Sequence, residues 1–376
     1  MVVSSSHRLN PAEPVTMSIA NGRLTKVTMT NPAGKKVAGA ITADGSSWHN
    51  TEDLGYARTY TILARGVNAA GTKVTKTSKV TTLSPDSQAT PKLNTLDDYY
   101  AIERGATYGV AMVPDIDFGV QVTNKKAVEQ AIKISTSPHV TGAFYWSTDA
   151  QGGSEVHWRP QHYWTPGTRV TIKADVYGVE LSPGLYGGSD VSTSFKIGPD
   201  DRTVADDTAT NENDASTKDH VYVYRNGKLM RTMTTSMGKH GGTTSGGKYI
   251  NFFTLAGNYT VLDHENPAHM SSASYGLSVA DGGYNTLLVP YSTKISNDGI
   301  YLHQYNSTQY DQQHGNDVSE GCLNLLTADA AWYFNFSRVG DPVIVHGAKG
   351  APTIQLWQGG DWSVPWSTWV KGNLDG

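Results

Sequence analysis

His220-Val221-Tyr222-Val223-Tyr224-Arg225-Asn226-Gly227-Lys228-Leu229-Met230-Arg231-Thr232-Met233-Thr234 decides the fold class of the C-terminal half. Residues 220–224 and 228–234 alternate with period two and are rich in β-branched and aromatic side chains, as half-buried strands require. Asn226-Gly227 between them fits a two-residue turn with positive φ at both central positions, the strongest short-range hairpin signal. Further strands are predicted at 258–262, 285–289, 299–303 and 342–346. One helix is predicted over 328–338, with Thr327 as N-cap and Asp329 near the positive end of the dipole. Ala331, Phe334 and Phe336 would face the sheet, and Gly340-Asp341-Pro342 would end the element. This region is therefore mostly β with one or a few short helices.

Upstream, the pattern is β throughout. Residues 23–30, 59–66 and 73–82 carry alternating β-branched side chains, punctuated by Asn31-Pro32-Ala33-Gly34 and Asp44-Gly45-Ser46. Strands separated by turns without a helical period indicate an immunoglobulin-like β-sandwich over 1–85, which Ser84-Pro85-Asp86 interrupts. A second sandwich is predicted over 86–200, with strands at 107–113, 140–147, 155–159, 169–177 and 193–197. Trp146, Trp158 and Trp164 are large enough to anchor its core. The acidic, small-residue stretch 199–216 reads as a connection or exposed turn. The boundaries so drawn are 1–85, 86–200, 201–349 and a C-terminal extension over 350–376.

Composition narrows the function. At 376 residues the chain is long enough for two or three domains, each with its own core. Charged residues are 17% and Gly numbers 39, so charge is below and glycine above the usual shares of about 25% and about 7%. The net charge is −4 with no long block of like charge, which argues against nucleic acid and against a polybasic membrane patch. No run approaches the ~18 apolar residues of a spanning helix, and residues 1–7 lack the apolar core of a signal peptide. The single cysteine excludes an internal disulfide and a Cys-based zinc site. His264 and His269 lack a third donor and are not read as a metal site. Four of the nine Trp, namely Trp357, Trp362, Trp366 and Trp369, crowd the tail, so it is expected to fold back onto the domains before it.

Cys322 is thus either a small buried hydrophobe or a reactive thiol. It sits in Ser319-Glu320-Gly321-Cys322-Leu323-Asn324, 19 positions after His303, which ends the strand-like Gly299-Ile300-Tyr301-Leu302-His303. A thiol becomes an effective nucleophile when a nearby base takes its proton, and a His on a neighbouring strand supplies one. Glycine before Cys lets the backbone approach a carbonyl, so the Gly321 and Cys322 N–H groups could form an oxyanion hole.

His303, the Gly-, Asn- and Gln-rich loop after it and the Ser-Glu-Gly-Cys-Leu-Asn run together resemble the active-site signature of the L,D-transpeptidases. The resemblance extends to Ser236-Met237-Gly238-Lys239, 257–261, 269–276, Asp361-Trp362 and Pro365-Trp366. Glu155-Val156-His157-Trp158-Arg159-Pro160 and Tyr163-Trp164-Thr165-Pro166-Gly167 look like parts of the paired immunoglobulin-like domains of mycobacterial members. One position departs: Glu320 stands where the family commonly has His. A carboxylate there would raise the thiol pKa unless it points away; it could instead orient His314 or a substrate amine.

The resemblance implies a mainly β protein: two immunoglobulin-like sandwiches, a β-rich catalytic domain with short helices, and a Trp-rich tail. It implies a cysteine acyltransferase of peptidoglycan synthesis that joins stem tetrapeptides, donor and acceptor, in 3→3 cross-links through a Cys322 thioester. His303 would be the base, oriented by the Gln304 carbonyl. Ser319, Glu320, Asn324 and Met270 would contact substrate or shape the site. His314 is either a substrate contact or a solvated loop residue, and Tyr284 either an acyl-site phenol or plain packing. Carbapenem β-lactams would acylate the cysteine. No cofactor, metal or nucleic acid is implied, and a monomer in the cell envelope, outside the cytoplasm, is expected. The alternatives are an L,D-carboxypeptidase of the same fold, a non-catalytic wall-binding protein, and an enzyme attaching a protein amine to the wall. Residues 201–376 are expected to fold alone.

Overall fold

The computed structural model of the chain describes residues 1–4, 7–97, 100–207 and 218–374. Packing divides it into two compact units. One comprises Met1–Pro91, Gln121–Ile132 and Ala174–Val191; the other comprises Lys92–Val120, Lys133–Lys173 and Ser192–Gly376.

The first unit is built on two four-stranded sheets. One orders Lys36–Val37, Gly22–Thr30, Thr59–Asn68 and Lys73–Thr81; the other orders Val2–Val3, Thr16–Ser18, Ser47–Asn50 and Gly39–Ile41. Alternation along Thr59–Asn68 buries Tyr60, Ile62 and Ala64 against Met17, Met29 and Trp48. The predicted strands are present, each within two residues of its expected ends.

A pair of four-stranded sheets, all of it in the second unit but for the strand-end residues Ile132, Ala174 and Val191, forms the second sandwich. Lys92–Asn94, Asp115–Asp117, Ser154–Pro160 and Gly142–Thr148 make one; Thr107–Tyr108, Val191–Ile197, Arg169–Ala174 and Ile132–Ser137 make the other. Trp146, Trp158 and Trp164 are buried as expected, and the Trp164 indole N–H donates to the Met112 carbonyl at 2.7 Å. The strand expected over 107–113 pairs only at Thr107–Tyr108. From there the backbone turns to segment 339–341, the Gly109 and Ala111 N–H groups donating to Val339 and Gly340 carbonyls at 2.9 and 2.8 Å. A Cβ at Gly109 would lie 2.2 Å from the Asp341 nitrogen, so this approach requires glycine.

The rest of the second unit carries a five-stranded sheet, ordered Lys228–Thr234, His220–Arg225, Asp201–Asp206, Pro342–His346 and Gly257–Thr260. The hairpin turn has φ of 51° at Asn226 and 78° at Gly227, as the Asn-Gly reading requires. Asp201–Asp206 corrects the reading of 199–216 as a connection: it is the middle strand, parallel to Pro342–His346. Two of its three buried side chains, Asp201 and Thr203, are polar and the third is the small Ala205, which hides it from a hydrophobicity pattern. Arg225 and Arg338 donate to the Asp201 carboxylate at 2.7 and 3.1 Å, and Thr203 meets the Tyr333 hydroxyl at 3.0 Å. Residues 208–216 of that stretch lie outside the described residues.

The helix runs Thr327–Phe336 with Leu326 at its N-cap. Ala330 and Tyr333 are its buried residues, where Ala331 and Phe334 were expected, because the Tyr333 hydroxyl reaches in to Thr203. A four-stranded sheet ordered Asp263–Glu265, Ser292–Lys294, Tyr301–Gln304 and Leu323–Leu325 completes the core, shared by Val223, Tyr259, Leu302, Leu323 and Val345.

The tail folds back onto the second sandwich. Trp369 is fully buried, donates to the Ala143 carbonyl at 2.9 Å and stacks on Tyr145. The Arg159 guanidinium lies 4.3 Å from the Trp369 ring centroid and 4.7 Å from that of Trp362, a cation–π arrangement. His157 Nδ1 meets Asp361 at 2.6 Å. Burial favours neutral His157, but Asp361 and Glu155 outweigh it and hold the imidazole well above its usual pKa. Trp357 is the exception, 64% exposed and among the residues lining a cleft.

Candidate active site

Tyr301–Gln304 and Leu323–Leu325 pair in parallel, with Leu302 opposite Leu323 and His303 opposite Asn324. Side chains alternate across a sheet, so Leu302, Leu323 and Leu325 enter the core while His303 and Asn324 face the other way. Cys322 lies one residue before the paired segment. His303, Cys322 and Asn324 together line a cleft of about 830 Å³, along with Ser319, Glu320 and Tyr284. Met270 also lines it, from the short hairpin pairing Ala268–Met270 with Leu287–Val289.

His303 is buried, and its Nδ1 stands 3.1 Å from its neighbour's carbonyl, that of Gln304. A carbonyl can only accept, so Nδ1 carries the hydrogen and Nε2 is left with a lone pair, the arrangement a general base needs. Burial lowers the His303 pKa to about 4, so the ring is neutral at physiological pH. Burial also pushes the Cys322 thiol up to about 12, partly offset by the Tyr301 N–H, and Sγ stands 3.6 Å from the Gly299 carbonyl. The resting pair is a neutral imidazole and a protonated thiol.

The turn before Cys322 is held from both sides. Gly321 has φ of 125°, which favours glycine. Ser319 Oγ donates to the Cys322 carbonyl at 2.6 Å and accepts from the Gly321 N–H at 3.1 Å. The Gly321 N–H is therefore engaged by Ser319 within the turn. Thr254, which no sequence signal marked, accepts from the Gly238 N–H and donates to the Gly321 carbonyl, both at 2.9 Å. The Asn324 backbone is fastened to Ser236, and its carbonyl also accepts from Thr235 and Gln312.

Glu320 accepts a hydrogen bond from Tyr275 and lies 3.4 Å from Lys239 Nζ. Burial, followed by that bond, raises the Tyr275 pKa. Tyr284 is pushed up to about 12 by burial and then by the thiol beside it, so its phenol is a protonated donor next to Cys322. The structure does not bring His314 to the cleft: its ring stacks on Tyr310 with centroids 3.9 Å apart, and its Nδ1 meets the Tyr310 carbonyl at 2.8 Å. One helical turn separates the two residues, which explains the pairing and removes any link from Glu320 to His314.

Residues 213–345 match the family model of the L,D-transpeptidase catalytic domain, and residues 6–180 match that of a bacterial Ig domain. L,D-transpeptidase 2 of Mycobacterium tuberculosis (strain CDC 1551 / Oshkosh) is 36% identical over 96% of this chain and 80% of its own length. L,D-transpeptidase 5 of Mycobacterium tuberculosis (strain ATCC 25618 / H37Rv) is 32% identical over 96% and 73%. A solved structure of the L,D-transpeptidase LdtMt1 in complex with imipenem superposes with a TM-score of 0.51 at 29% identity, covering 68% of this chain and 99% of that one. The matches span the strand pair that carries His303 and Cys322 as well as the sandwich region, and the chain belongs to the L,D-transpeptidase family.

Proposed function

We propose that this chain is a peptidoglycan L,D-transpeptidase that forms 3→3 cross-links through a Cys322 thioester. The observation that carries the reading is the His303–Cys322 pair in one cleft, with His303 Nδ1 tied to the Gln304 carbonyl so that Nε2 is the basic nitrogen. Cys322 Sγ attacks the carbonyl between the third residue and the terminal D-Ala of a donor tetrapeptide while His303 Nε2 takes the thiol proton. The Cys322 N–H and the Tyr284 phenol are the donors we assign to the oxyanion. His303 returns the proton to the departing D-Ala amine. A side-chain amine of an acceptor stem then attacks the thioester and yields its proton to His303, which reprotonates the thiolate. With both groups neutral at rest, proton transfer accompanies carbon–sulfur bond formation, with no standing thiolate required.

The same reading places the protein in the cell envelope as a monomer, with domains over 1–85, 86–200, 201–349 and 350–376; no helix among the described residues is long and apolar enough to cross a membrane. Intact mass after incubation with imipenem tests the nucleophile: one adduct is expected on the native chain and none on Cys322→Ala. Product analysis with donor and acceptor stems then tests the transfer. A cross-linked dimer supports it, and release of D-Ala alone would make the protein an L,D-carboxypeptidase.

A further inference from the structure

Outside the cleft, carboxylates and an imidazole from separate stretches converge behind the turn that carries Cys322. Asp207 follows the strand Asp201–Asp206, His240 precedes Gly242–Ser245, and Asp317 lies two residues before Ser319. One ligand atom from each of Asp207, His240 and Asp317 lies within 4.8 Å of the others. His240 Nε2 is 3.5 Å from Asp207 Oδ1 and 3.8 Å from Asp317 Oδ2. Donors bound at about 2.0–2.2 Å around one ion stand roughly 3–4.5 Å apart, so these separations match a shared cation.

Asp207 supplies the independent reason to expect a ligand. Its carboxylate is 0% exposed, faces His240, and neither oxygen accepts a well-formed hydrogen bond. The Ala348 amide and the His240 ring approach it only loosely. A buried carboxylate without donors is costly, and the usual remedy is a metal or a proton. Asp317 is committed on one side, where it accepts from the Met237 N–H, while Oδ2 remains turned to His240. Asp219 adds a further carboxyl group to the cluster, hydrogen-bonded to Asp317. His240 is half-exposed and stacks on Phe253, which leaves a path from solvent.

We propose that Asp207, Asp317 and His240, with Asp219 beside them, bind one divalent transition-metal ion of the Zn²⁺ or Mn²⁺ class. Imidazole with carboxylates suits these ions better than Ca²⁺ or Mg²⁺, which take oxygen alone. The site connects to the nucleophile turn through backbone: Asp317 holds Met237, Gly238 bridges to Ser319, and the Lys239 N–H donates to the Ser319 carbonyl at 2.8 Å. A bound ion would therefore brace the strand against which the Cys322 turn is built.

The test uses the full chain carrying Cys322→Ala, so that the thiol cannot bind metal. After chelator treatment, Zn²⁺ and Mn²⁺ are titrated by calorimetry near neutral pH, and melting is followed with and without each ion. One ion per chain, proton release on binding and a raised melting temperature are expected. Asp207→Asn and His240→Ala should each weaken binding roughly tenfold or more. His240 is half-exposed, so its variant decides the matter if Asp207→Asn does not fold. Absence of one-to-one binding, or one-to-one binding that His240→Ala leaves unchanged, overturns the proposal. Stability that follows pH but not metal would assign the cluster to a shared proton and overturn it too.

Discussion

Replacing His303 by Gln tests the neutral-pair chemistry, because it separates two ways of activating a buried thiol. With the Cys322 pKa near 12, only about one thiol in 10⁵ is ionised at pH 7. A mechanism that waited for the free thiolate would speed up tenfold per pH unit across the neutral range. With His303 as base, the native rate should instead be flat from about pH 5 upward, since burial lowers that imidazole to about 4 and it is neutral throughout. Acylation by imipenem, followed by absorbance in stopped flow and by intact mass, reads the rate directly. His303→Gln should lose roughly 10²–10⁴-fold at pH 7 and acquire the tenfold-per-unit slope. Stability gives a second, activity-free readout. His303 binds a proton more readily unfolded, near 6.5, than folded, near 4, so its burial destabilises the fold as pH falls through that window. The penalty reaches roughly 3 kcal/mol below pH 4, and His303→Gln should remove it, gaining stability relative to the native chain in acid but not at pH 7. A native rate that climbs tenfold per unit between pH 6 and 9, or a His303→Gln variant as fast as the native chain, would refute the reasoning.

The fold class and the meeting of His303 and Cys322 in one cleft were legible because both depend on local or closely spaced signals. Asn226-Gly227 marks its own turn, and His303 and Cys322 lie 19 positions apart, on and just before two adjacent paired strands. What escaped detection depends on distant partners. Asp201–Asp206 looks like a turn until Arg225, Arg338 and Tyr333 are placed against its polar face. Thr254 carries no motif and acquires its role only by standing between Gly238 and Gly321. The partner of the Gly321 N–H was hidden for a different reason: spacing identifies a glycine before the cysteine, but the Ser319 hydroxyl that takes its N–H is a three-dimensional fact. Arg159 likewise gives no hint in sequence that Trp362 and Trp369 will lie across its guanidinium.

Two further substitutions probe the periphery of the site and the tail. Glu320→Gln should leave acylation by imipenem within about threefold but slow transfer to an amine acceptor roughly tenfold or more, if the carboxylate receives the incoming ammonium, since a hydrogen bond to a charged group is worth about 1.5–3 kcal/mol. Equal effects on both steps, measured in one cross-linking assay, would assign Glu320 to support of Tyr275 alone. Trp369→Ala bears on whether 201–376 can stand without the second sandwich. The side chain is fully buried, donates to Ala143, stacks on Tyr145 at a centroid distance of 4.9 Å and covers one face of Arg159. Truncating a buried Trp costs about 3–5 kcal/mol, and here the Ala143 carbonyl also loses its donor. Trp357→Ala, at an exposed position, should change stability by less than about 0.5 kcal/mol and serves as the control. Denaturant unfolding followed by Trp fluorescence and circular dichroism measures both. If Trp369→Ala falls as little as Trp357→Ala, the tail does not join the sandwich to the catalytic core in solution, and 201–376 alone should then be as stable as it is within the whole chain. A large loss confined to Trp369→Ala means that residues 201–376 in isolation expose the Trp face and melt earlier, while Cys322 still acylates in the fraction that remains folded.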